Sequence, residues 1–254
     1  MGAKIAIATL CDSKFLVGLR VMLFSLVSSN PWVRDIPIEV FWTDSEPVPE
    51  RIHKLCQKLG LQVNWRYPDL SSYSGINVGT KDGEKCHGSY HKYEVFTLSE
   101  YDKVIFLDSD IFVCSDISEL LRIDDGISAV KEIEIPQFNT GVLSIGKKFL
   151  NHDFRDALIA ASADGNHSHV DQDVINSVVG SSYNQLPVWY NVLKSYFRHL
   201  GSWISRAKII HYIADKPWHS EFSTRGNIEC VVVERLWLNA NALLDNFEAQ
   251  GESA

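Results

Sequence analysis

A short apolar run that ends in two carboxylates constrains this chain more than any other feature of its sequence. Val104 to Leu107 are all apolar, and Asp108-Ser109-Asp110 follows them directly. A run of this kind is typical of a strand that is buried on both faces of a parallel sheet. In open α/β sheets, ligands collect at the carboxyl ends of such strands. The sequence therefore predicts an α/β fold with a candidate site at this strand end.

The two acids allow two interpretations when they are taken alone. Carboxylate oxygens suit Mg2+ or Mn2+, and Mg2+ is usually held by one or two carboxylates together with substrate phosphates. Asp108 and Asp110 could therefore form a metal–diphosphate site. Aspartate is also common in turns after strands, because it tolerates turn geometry and caps the next helix.

Strands and helices are predicted to alternate along the chain, which favours a largely parallel central sheet flanked by helices. The polar segment 68–85 is predicted to be a loop long enough to be functional. Besides the strand before Asp108, the patterns predict strands at 4–10, 38–42, 61–65, 127–131 and 138–145, and helices at 15–26, 49–59, 90–98, 147–161, 171–179 and 231–244.

Composition excludes several classes of function. The 254 residues are 45% hydrophobic, enough for a sizeable core, and the net charge of -8 offers no basic surface for nucleic acid. No window approaches the roughly 18 apolar residues of a membrane-spanning helix, and the first residues do not resemble a signal peptide. The five cysteines lack CxxC or CxxH spacing, which argues against a disulfide framework and a structural zinc site. We expect a cytoplasmic protein with reduced cysteines.

Three further segments carry polar residues at predicted element ends. Asn139 lies at the start of a strand, where its amide could hold ligand hydroxyl groups or simply form a turn. Asp171 and Gln172 open a predicted helix, where the acid could serve only as a cap. His211 follows an apolar run, and Lys216 comes five residues later. A histidine can bind a metal and a lysine can bind phosphate, but a single histidine can also have a purely structural role. The nearby His167-Ser168-His169 is expected to be a solvated connection outside the site.

The order of these segments resembles glycosyltransferase family 8, the retaining nucleotide-sugar transferases. The resemblance spans about residues 4–219 and rests on IATLCD, FLDSDIFV, FNTGVLSI, DQDVIN and HYIADKPW, in that order. It implies the GT-A fold, a single Rossmann-like domain covering residues 1–254 with a C-terminal helical segment at about 220–248. It also implies a UDP-sugar donor, an acceptor hydroxyl and a divalent metal, usually Mn2+, with Mg2+ as an alternative.

The resemblance also assigns roles to individual positions. It places metal ligands at Asp108, Asp110 and His211, and catalytic or donor-sugar contacts at Asp171 and Gln172. Two differences from the family pattern are that Ala214 replaces a glycine and that Lys216 comes one position early. The remaining nucleotide-sugar contacts implied by the resemblance, in addition to Asp108, are Ala8, Leu10, Asp12, Phe15, Lys92, Ser109, Asn139 and Lys216.

The implied reaction separates a sugar from a nucleoside diphosphate. Metal and Lys216 would stabilise the departing diphosphate, so that no strong protein acid is needed. A mechanism with a covalent intermediate would need a nucleophile near the anomeric carbon, and the amide of Gln172 is a poor one. We therefore expect the acceptor to bond on the face that the diphosphate leaves, with Gln172 supporting the cationic sugar. A covalent sugar adduct on Asp171 would contradict this expectation. The alternatives are a non-catalytic nucleotide-sugar-binding protein of the same fold and a metal-dependent phosphohydrolase. The apolar C-terminal segment around Leu236 and Trp237 could cover this chain's own core or a partner in a homo-oligomer.

Overall fold

A computed structural model of the chain provides the coordinates, and it describes residues 2–76, 80–81, 84–85, 87–122, 125–163, 167–198, 205–219 and 228–250. Within these ranges the strands are β1 (Ile5–Cys11), β2 (Pro37–Trp42), β3 (Gln62–Arg66), β4 (Thr80–Lys81), β5 (Glu84–Lys85), β6 (Lys103–Leu107), β7 (Ile111–Val113), β8 (Ile127–Lys131), β9 (Phe138–Gly146), β10 (Tyr183–Leu186), β11 (Val192–Leu193) and β12 (Ile209–His211).

The α-helices are α1 (Leu16–Ser29), α2 (Glu50–Leu59), α3 (His87–Tyr90), α4 (His152–Ala161), α5 (Asp171–Val179) and α6 (Ile228–Ala249). Shorter 3-10 helices connect the larger elements, at Ser13–Phe15, Pro31–Asp35, Leu70–Tyr73, His91–Thr97, Ser118–Arg122, Lys147–Phe149, Val188–Tyr190 and Lys194–Arg198. No helix in the described ranges is long and apolar enough to cross a membrane.

The central sheet confirms the predicted α/β architecture. Its seven strands lie in the order β10-β8-β9-β6-β1-β2-β3. Four of the six strand pairs are parallel, and the two that involve β9 are antiparallel. β9 runs against its neighbours because it follows β8 after only a short turn, whereas a parallel return needs a crossover of a dozen or more residues. The strand that ends at the two acids, β6, therefore lies in the middle of the sheet.

Two apolar layers cover the two faces of the sheet. Along β1, Ile7 packs into one layer while Ala6 and Ala8 pack into the other, and β6 alternates in the same way. Both strands are buried on both faces, which the apolar run 104–107 predicted for β6. The C-terminal helix α6 contributes Trp237, which is 1% exposed, to the first layer.

Two predicted helices differ from the structure. The predicted helix at 90–98 is a 3-10 helix over His91–Thr97, preceded by the short α3. In a 3-10 helix, side chains three residues apart lie above one another, and Tyr90, Tyr93 and Phe96 share this spacing and are all buried. The predicted helix at 147–161 begins only at His152, because the Asn151 side chain accepts a hydrogen bond from the Phe154 amide at 2.8 Å and caps α4.

A second, small sheet was only partly foreseen from the sequence. β12 pairs in parallel with β11 and antiparallel with β7, so that His211 lies opposite Ile111. β7 and β11 contain three and two residues, too few for a clear periodic pattern. This sheet brings the end of β12 back to the segment that contains the two acids.

Candidate metal centre and active site

Backbone hydrogen bonds hold both acids in place at the strand end. The Asp108 amide donates to the Gly141 carbonyl oxygen at 2.8 Å, which ties it to β9. The Asp110 carbonyl oxygen accepts from the Tyr212 amide at 3.0 Å, which ties it to the residue after β12. The central sheet and the small sheet therefore meet at the Asp108-Ser109-Asp110 turn.

His211 completes a cluster of three potential metal ligands. Its Nε2 atom lies 3.2 Å from Asp110 Oδ1 and 3.7 Å from Asp108 Oδ2. One ligating atom from each of the three residues lies within 4.8 Å of the other two. His211 and Asp110 are buried, while Asp108 is partly exposed towards a cavity. Two carboxylates and one imidazole in this arrangement can bind a divalent cation.

The cluster depends on a glycine beside His211. A Cβ atom at Gly141 would lie 2.3 Å from His211 Cε1 and 2.6 Å from Nδ1. These distances are far below an ordinary contact, so a side chain at this position would push the imidazole away. Gly18 on α1 plays a similar part, since a Cβ there would lie 2.7 Å from the Ser109 carbonyl oxygen.

Lys216 contacts the second acid of the cluster, Asp110. Its ammonium group donates to Asp110 Oδ2 and, at 2.8 Å, to the Tyr212 carbonyl oxygen. Burial alone would raise the pKa of Asp110, but Lys216 and His211 hold that pKa well below its ordinary value. Ala214, where the family pattern has a glycine, has a φ of 59°, in the left-handed region that favours glycine. The backbone turn before Lys216 is therefore made without the glycine.

Lys92 lies between two carboxylates. Its Nζ atom is 3.1 Å from Asp108 Oδ1 and 3.1 Å from Asp171 Oδ2, and Thr140 provides two further acceptors at 3.3 Å. Burial opposes the charged form, but the two carboxylates outweigh it and raise the pKa of Lys92. Burial is also the main reason that the pKa of Asp108 is raised, with Lys92 opposing the shift and Asp110 adding to it.

Two amide side chains, those of Asn139 and Gln172, line the same cavity as Asp108. Asn139 Nδ2 donates to Gln172 Oε1 at 3.1 Å and to Glu132 Oε1 at 2.9 Å, and Gln172 Nε2 donates to the same Glu132 oxygen at 3.0 Å. Val170, directly before Asp171, has a φ of 52°, which is rare for a β-branched residue and is found where surrounding structure imposes it.

A cavity of about 450 Å³ opens between these groups. This volume is within the range of ordinary small-molecule sites. The predicted site residues on its wall are Lys92, Asp108, Asn139, Asp171, Gln172 and His211.

The N-terminal segment after β1 lies close to Lys216. The Asp12 side chain accepts from the Phe15 amide at 3.0 Å and so caps the turn before α1. The Phe15 ring lies 5.5 Å from Lys216 Nζ and 5.9 Å from the Trp218 ring. Ala8 is wholly buried within β1, away from the wall of the cavity, and Leu10 is half-buried. The structure thus brings Phe15 and Lys216 together.

Several residues of the site were missed from the sequence. Glu132 follows β8 and hydrogen bonds to two predicted site residues, and Asn191 lies between Asn139 and His211. Isolated polar residues of this kind carry no spacing pattern, so no sequence feature indicated them. His169, which was expected outside the site, lies on the cavity wall and pairs with Asp173 at 3.2 Å.

The fold and the site together define an open α/β protein with an acid–imidazole cluster at the end of its central strand. The family model of glycosyl transferase family 8 matches residues 6–221, and the chain belongs to this family. The predicted family and the GT-A fold are therefore confirmed.

Curated relatives agree with this assignment. Glycosyltransferase GlyF of Streptococcus pneumoniae serotype 4 is 26% identical over an alignment of 234 residues that covers 85% of this chain and 57% of that protein. Glycogenin-1 of Caenorhabditis elegans is 30% identical over an alignment of 142 residues that covers 52% of this chain and 32% of that protein. The chain thus spans little more than half the length of GlyF.

Solved structures share the fold. The apo form of glycosyltransferase GlyE from S. pneumoniae TIGR4 superposes with a TM-score of 0.71 at 21% identity, covering 98% of this chain and 64% of that one. The galactosyltransferase LgtC, solved in complex with donor and acceptor sugar analogues, has a TM-score of 0.71 at 18% identity and covers 93% of this chain and 95% of that one.

Proposed function

We propose that the protein transfers a hexosyl or pentosyl group from a UDP-sugar to an acceptor hydroxyl, with retention at the anomeric carbon. The observation that carries this proposal is the placement of the Asp108, Asp110 and His211 cluster between Lys216 and a cavity lined by Lys92 and Gln172. We assign this activity to residues 1–254 as one GT-A domain, with the motifs in residues 4–219 and a C-terminal segment predicted at about 220–248, of which 220–227 lie outside the described residues.

The three-residue cluster fits a divalent metal, and we propose Mn2+, with Mg2+ as the alternative. Two carboxylate oxygens and one imidazole nitrogen lie within 4.8 Å of one another, and an ammonium group already neutralises Asp110. The imidazole favours Mn2+ over Mg2+, which prefers oxygen ligands alone. Bound at these residues, the ion would act as a Lewis acid on the diphosphate.

The residues around the cluster suit the other parts of the donor. We propose that Phe15 stacks on the uracil and that Asp12 and the backbone of Ala8, Leu10 and Ser109 line the nucleoside side. Lys216, next to Asp110, would contact the diphosphate as a point charge. Lys92, Asn139 and Asp171 would hold the sugar, because they lie on the cavity wall.

We propose that transfer takes place on a single face of the sugar. The bond between the anomeric carbon and the diphosphate oxygen breaks, the acceptor oxygen bonds to that carbon on the same face, and the acceptor proton passes to the departing diphosphate. Asp171 Oδ2 lies 3.1 Å from Lys92 Nζ and accepts from the Thr140 hydroxyl at 2.9 Å, and the positive charge of Lys92 makes this carboxylate a weaker nucleophile. Gln172, fixed by Glu132, would support the cationic carbon with its amide oxygen.

UDP release in the presence of Mn2+ and a panel of UDP-sugars tests the proposal. We expect release with at least one donor, and a decrease of about 100-fold or more in the Asp110→Asn variant, which loses one ligand charge. Asp116→Asn is the matched control, because Asp116 is an exposed acid that bonds to Ser118 and lies outside the cluster.

Each other result has a definite meaning. A wild-type protein that neither binds nor turns over any donor would contradict the proposal. Binding of a UDP-sugar without release of UDP, with or without acceptors, would favour the non-catalytic nucleotide-sugar-binding alternative. Release of inorganic phosphate from phosphate monoesters would favour the phosphohydrolase.

A further inference from the structure

A continuous row of side-chain hydrogen bonds connects Glu132, on one part of the cavity wall, to His211. It begins at Glu132, which accepts from Asn139 Nδ2 at 2.9 Å. Asn139 Oδ1 accepts from Asn191 Nδ2 at 2.7 Å, and Asn191 Oδ1 lies 3.1 Å from His211 Nδ1. Asn191 is 0% exposed, so water cannot replace either of its bonds. This residue thus connects the wall around Gln172 to the cluster of potential ligands.

The direction of every hydrogen bond in this row follows from two groups with fixed roles, the Gly141 N–H as a donor and the Glu132 carboxylate as an acceptor. The Gly141 backbone N–H can only donate, and it lies 2.9 Å from Asn139 Oδ1. That atom must therefore be the oxygen, and the Asn139 nitrogen faces the Glu132 carboxylate, which can accept. An amide reversed at Asn139 would break both bonds.

The same logic continues to the imidazole. Because Asn139 presents its oxygen, Asn191 must present its nitrogen to it, and so turns its own oxygen towards His211. An amide oxygen only accepts, so His211 Nδ1 carries the proton. The lone pair of the neutral ring is then on Nε2, the atom that faces Asp108 and Asp110.

We propose that Asn191 is a positioning residue that keeps His211 protonated on Nδ1 and its Nε2 lone pair directed at the metal site. This rests on the proposed function, in which His211 is a metal ligand. Without the Asn191 oxygen, a proton on Nε2 would gain an acceptor in Asp110 at 3.2 Å, and the ring would bond to the carboxylate instead of to a cation. Groups that orient a ligating imidazole in this way commonly change metal affinity 10- to 100-fold.

Two substitutions at position 191 test separately the hydrogen bonds that Asn191 makes to Asn139 and to His211. Asn191→Asp keeps an acceptor oxygen for His211 but places a second acceptor against Asn139. It should keep Mn2+ affinity near that of the wild type while the KM for the UDP-sugar rises about fivefold, as for the loss of one hydrogen bond. Asn191→Leu removes the acceptor for His211, and the Kd for Mn2+ should rise by about 10-fold or more.

The experiment combines nitrogen-15 NMR of the histidine rings in the metal-free protein at pH 9 with Mn2+ titration followed by electron paramagnetic resonance. The His211 signal is assigned by its absence in His211→Asn. Asn30→Leu is the matched control, because Asn30 is also 0% exposed and bonds to the chain at Ser115 and Ile117, away from the cluster. We expect Nδ1 to carry a proton in the wild type and in Asn191→Asp.

A wild-type His211 without a proton on Nδ1 would overturn the proposal. So would an Asn191→Leu variant that binds Mn2+ as tightly as the wild type, or equal losses of Mn2+ affinity in both variants, which would indicate a merely structural role. If Asn191→Leu does not fold, the protonation of His211 Nδ1 in the wild type and the Mn2+ affinity of Asn191→Asp still test the proposal. The NMR result stands even if the protein transfers no sugar, so failure here and failure of the proposed function can be told apart.

Discussion

Replacing Gly141 by alanine should damage the candidate metal centre through steric contact alone. The new Cβ would lie 2.3 Å from His211 Cε1, whereas carbon atoms in contact are about 3.5 Å apart. The imidazole or the β9 backbone must therefore move by about 1 Å. Metal–ligand distances tolerate only about 0.2 Å, so a shift of this size removes His211 as a ligand.

The same clash also has a cost in stability. The imidazole cannot move freely, because Asn191 and the pairing of His211 with Ile111 hold it. Overpacking of a buried site costs about 1 to 3 kcal/mol in the free energy of unfolding. For a domain of this size, that corresponds to a fall in Tm of about 2 to 12 °C.

Differential scanning fluorimetry and Mn2+ titration measure the two effects together. Gly75→Ala is the control, since a Cβ there meets nothing within 4 Å, and its Tm and Mn2+ affinity should match those of the wild type. A Gly141→Ala protein with unchanged Tm and unchanged Mn2+ affinity would mean that His211 does not lie against β9, and would contradict this prediction.

Three further predictions concern other parts of the molecule. Lys92→Met leaves the buried carboxylate of Asp171 and the partly exposed carboxylate of Asp108 without their cation, and urea denaturation should show a loss of about 3 kcal/mol in the free energy of unfolding. Phe15→Leu removes the proposed stacking partner of uracil, so calorimetry should show UDP binding about 10-fold weaker with little change in Tm. Burial would raise the pKa of Glu39, but its hydrogen-bond partners lower it below the ordinary value of 4.5. The Glu39 carboxylate therefore stabilises the fold above pH 4.5, and this contribution is lost as the pH falls through the lowered pKa. Urea denaturation should show Glu39→Gln less stable than the wild type at pH 7, with the difference decreasing below pH 4.5.

Each of these has a result that would contradict it. Lys92→Met with wild-type stability would mean that the two carboxylates are not held together by this ammonium. Equal UDP affinity in Phe15→Leu and the wild type would remove the aromatic ring from the nucleotide site. A difference between Glu39→Gln and the wild type that stays constant from pH 7 to pH 3 would show that the Glu39 carboxylate does not titrate with a lowered pKa.

Much of the fold was predictable because the pattern of apolar residues reflects burial directly. β8 and α5 begin and end where predicted, and β1 and β6 are largely apolar strands within one or two residues of their predicted bounds. The helix predicted at 90–98 was wrong in type, because buried residues three apart suit both helix geometries and only packing on the sheet distinguishes them. The short β7 and β11 could not be recognised, since two or three residues show no periodicity.

By itself, the sequence determined the kind of sheet, the strand end at which the acids lie, and the family. These follow from local properties: apolar runs that must be buried, and residue types in a fixed order along the chain. The approach of His211 to Asp110 is visible only in the folded protein, since the pairing of β12 with β7 joins segments about a hundred residues apart. The tertiary structure also decided the direction of the bonds through Asn191, because that direction depends on which donors and acceptors meet in the folded protein, and no spacing in the sequence records it.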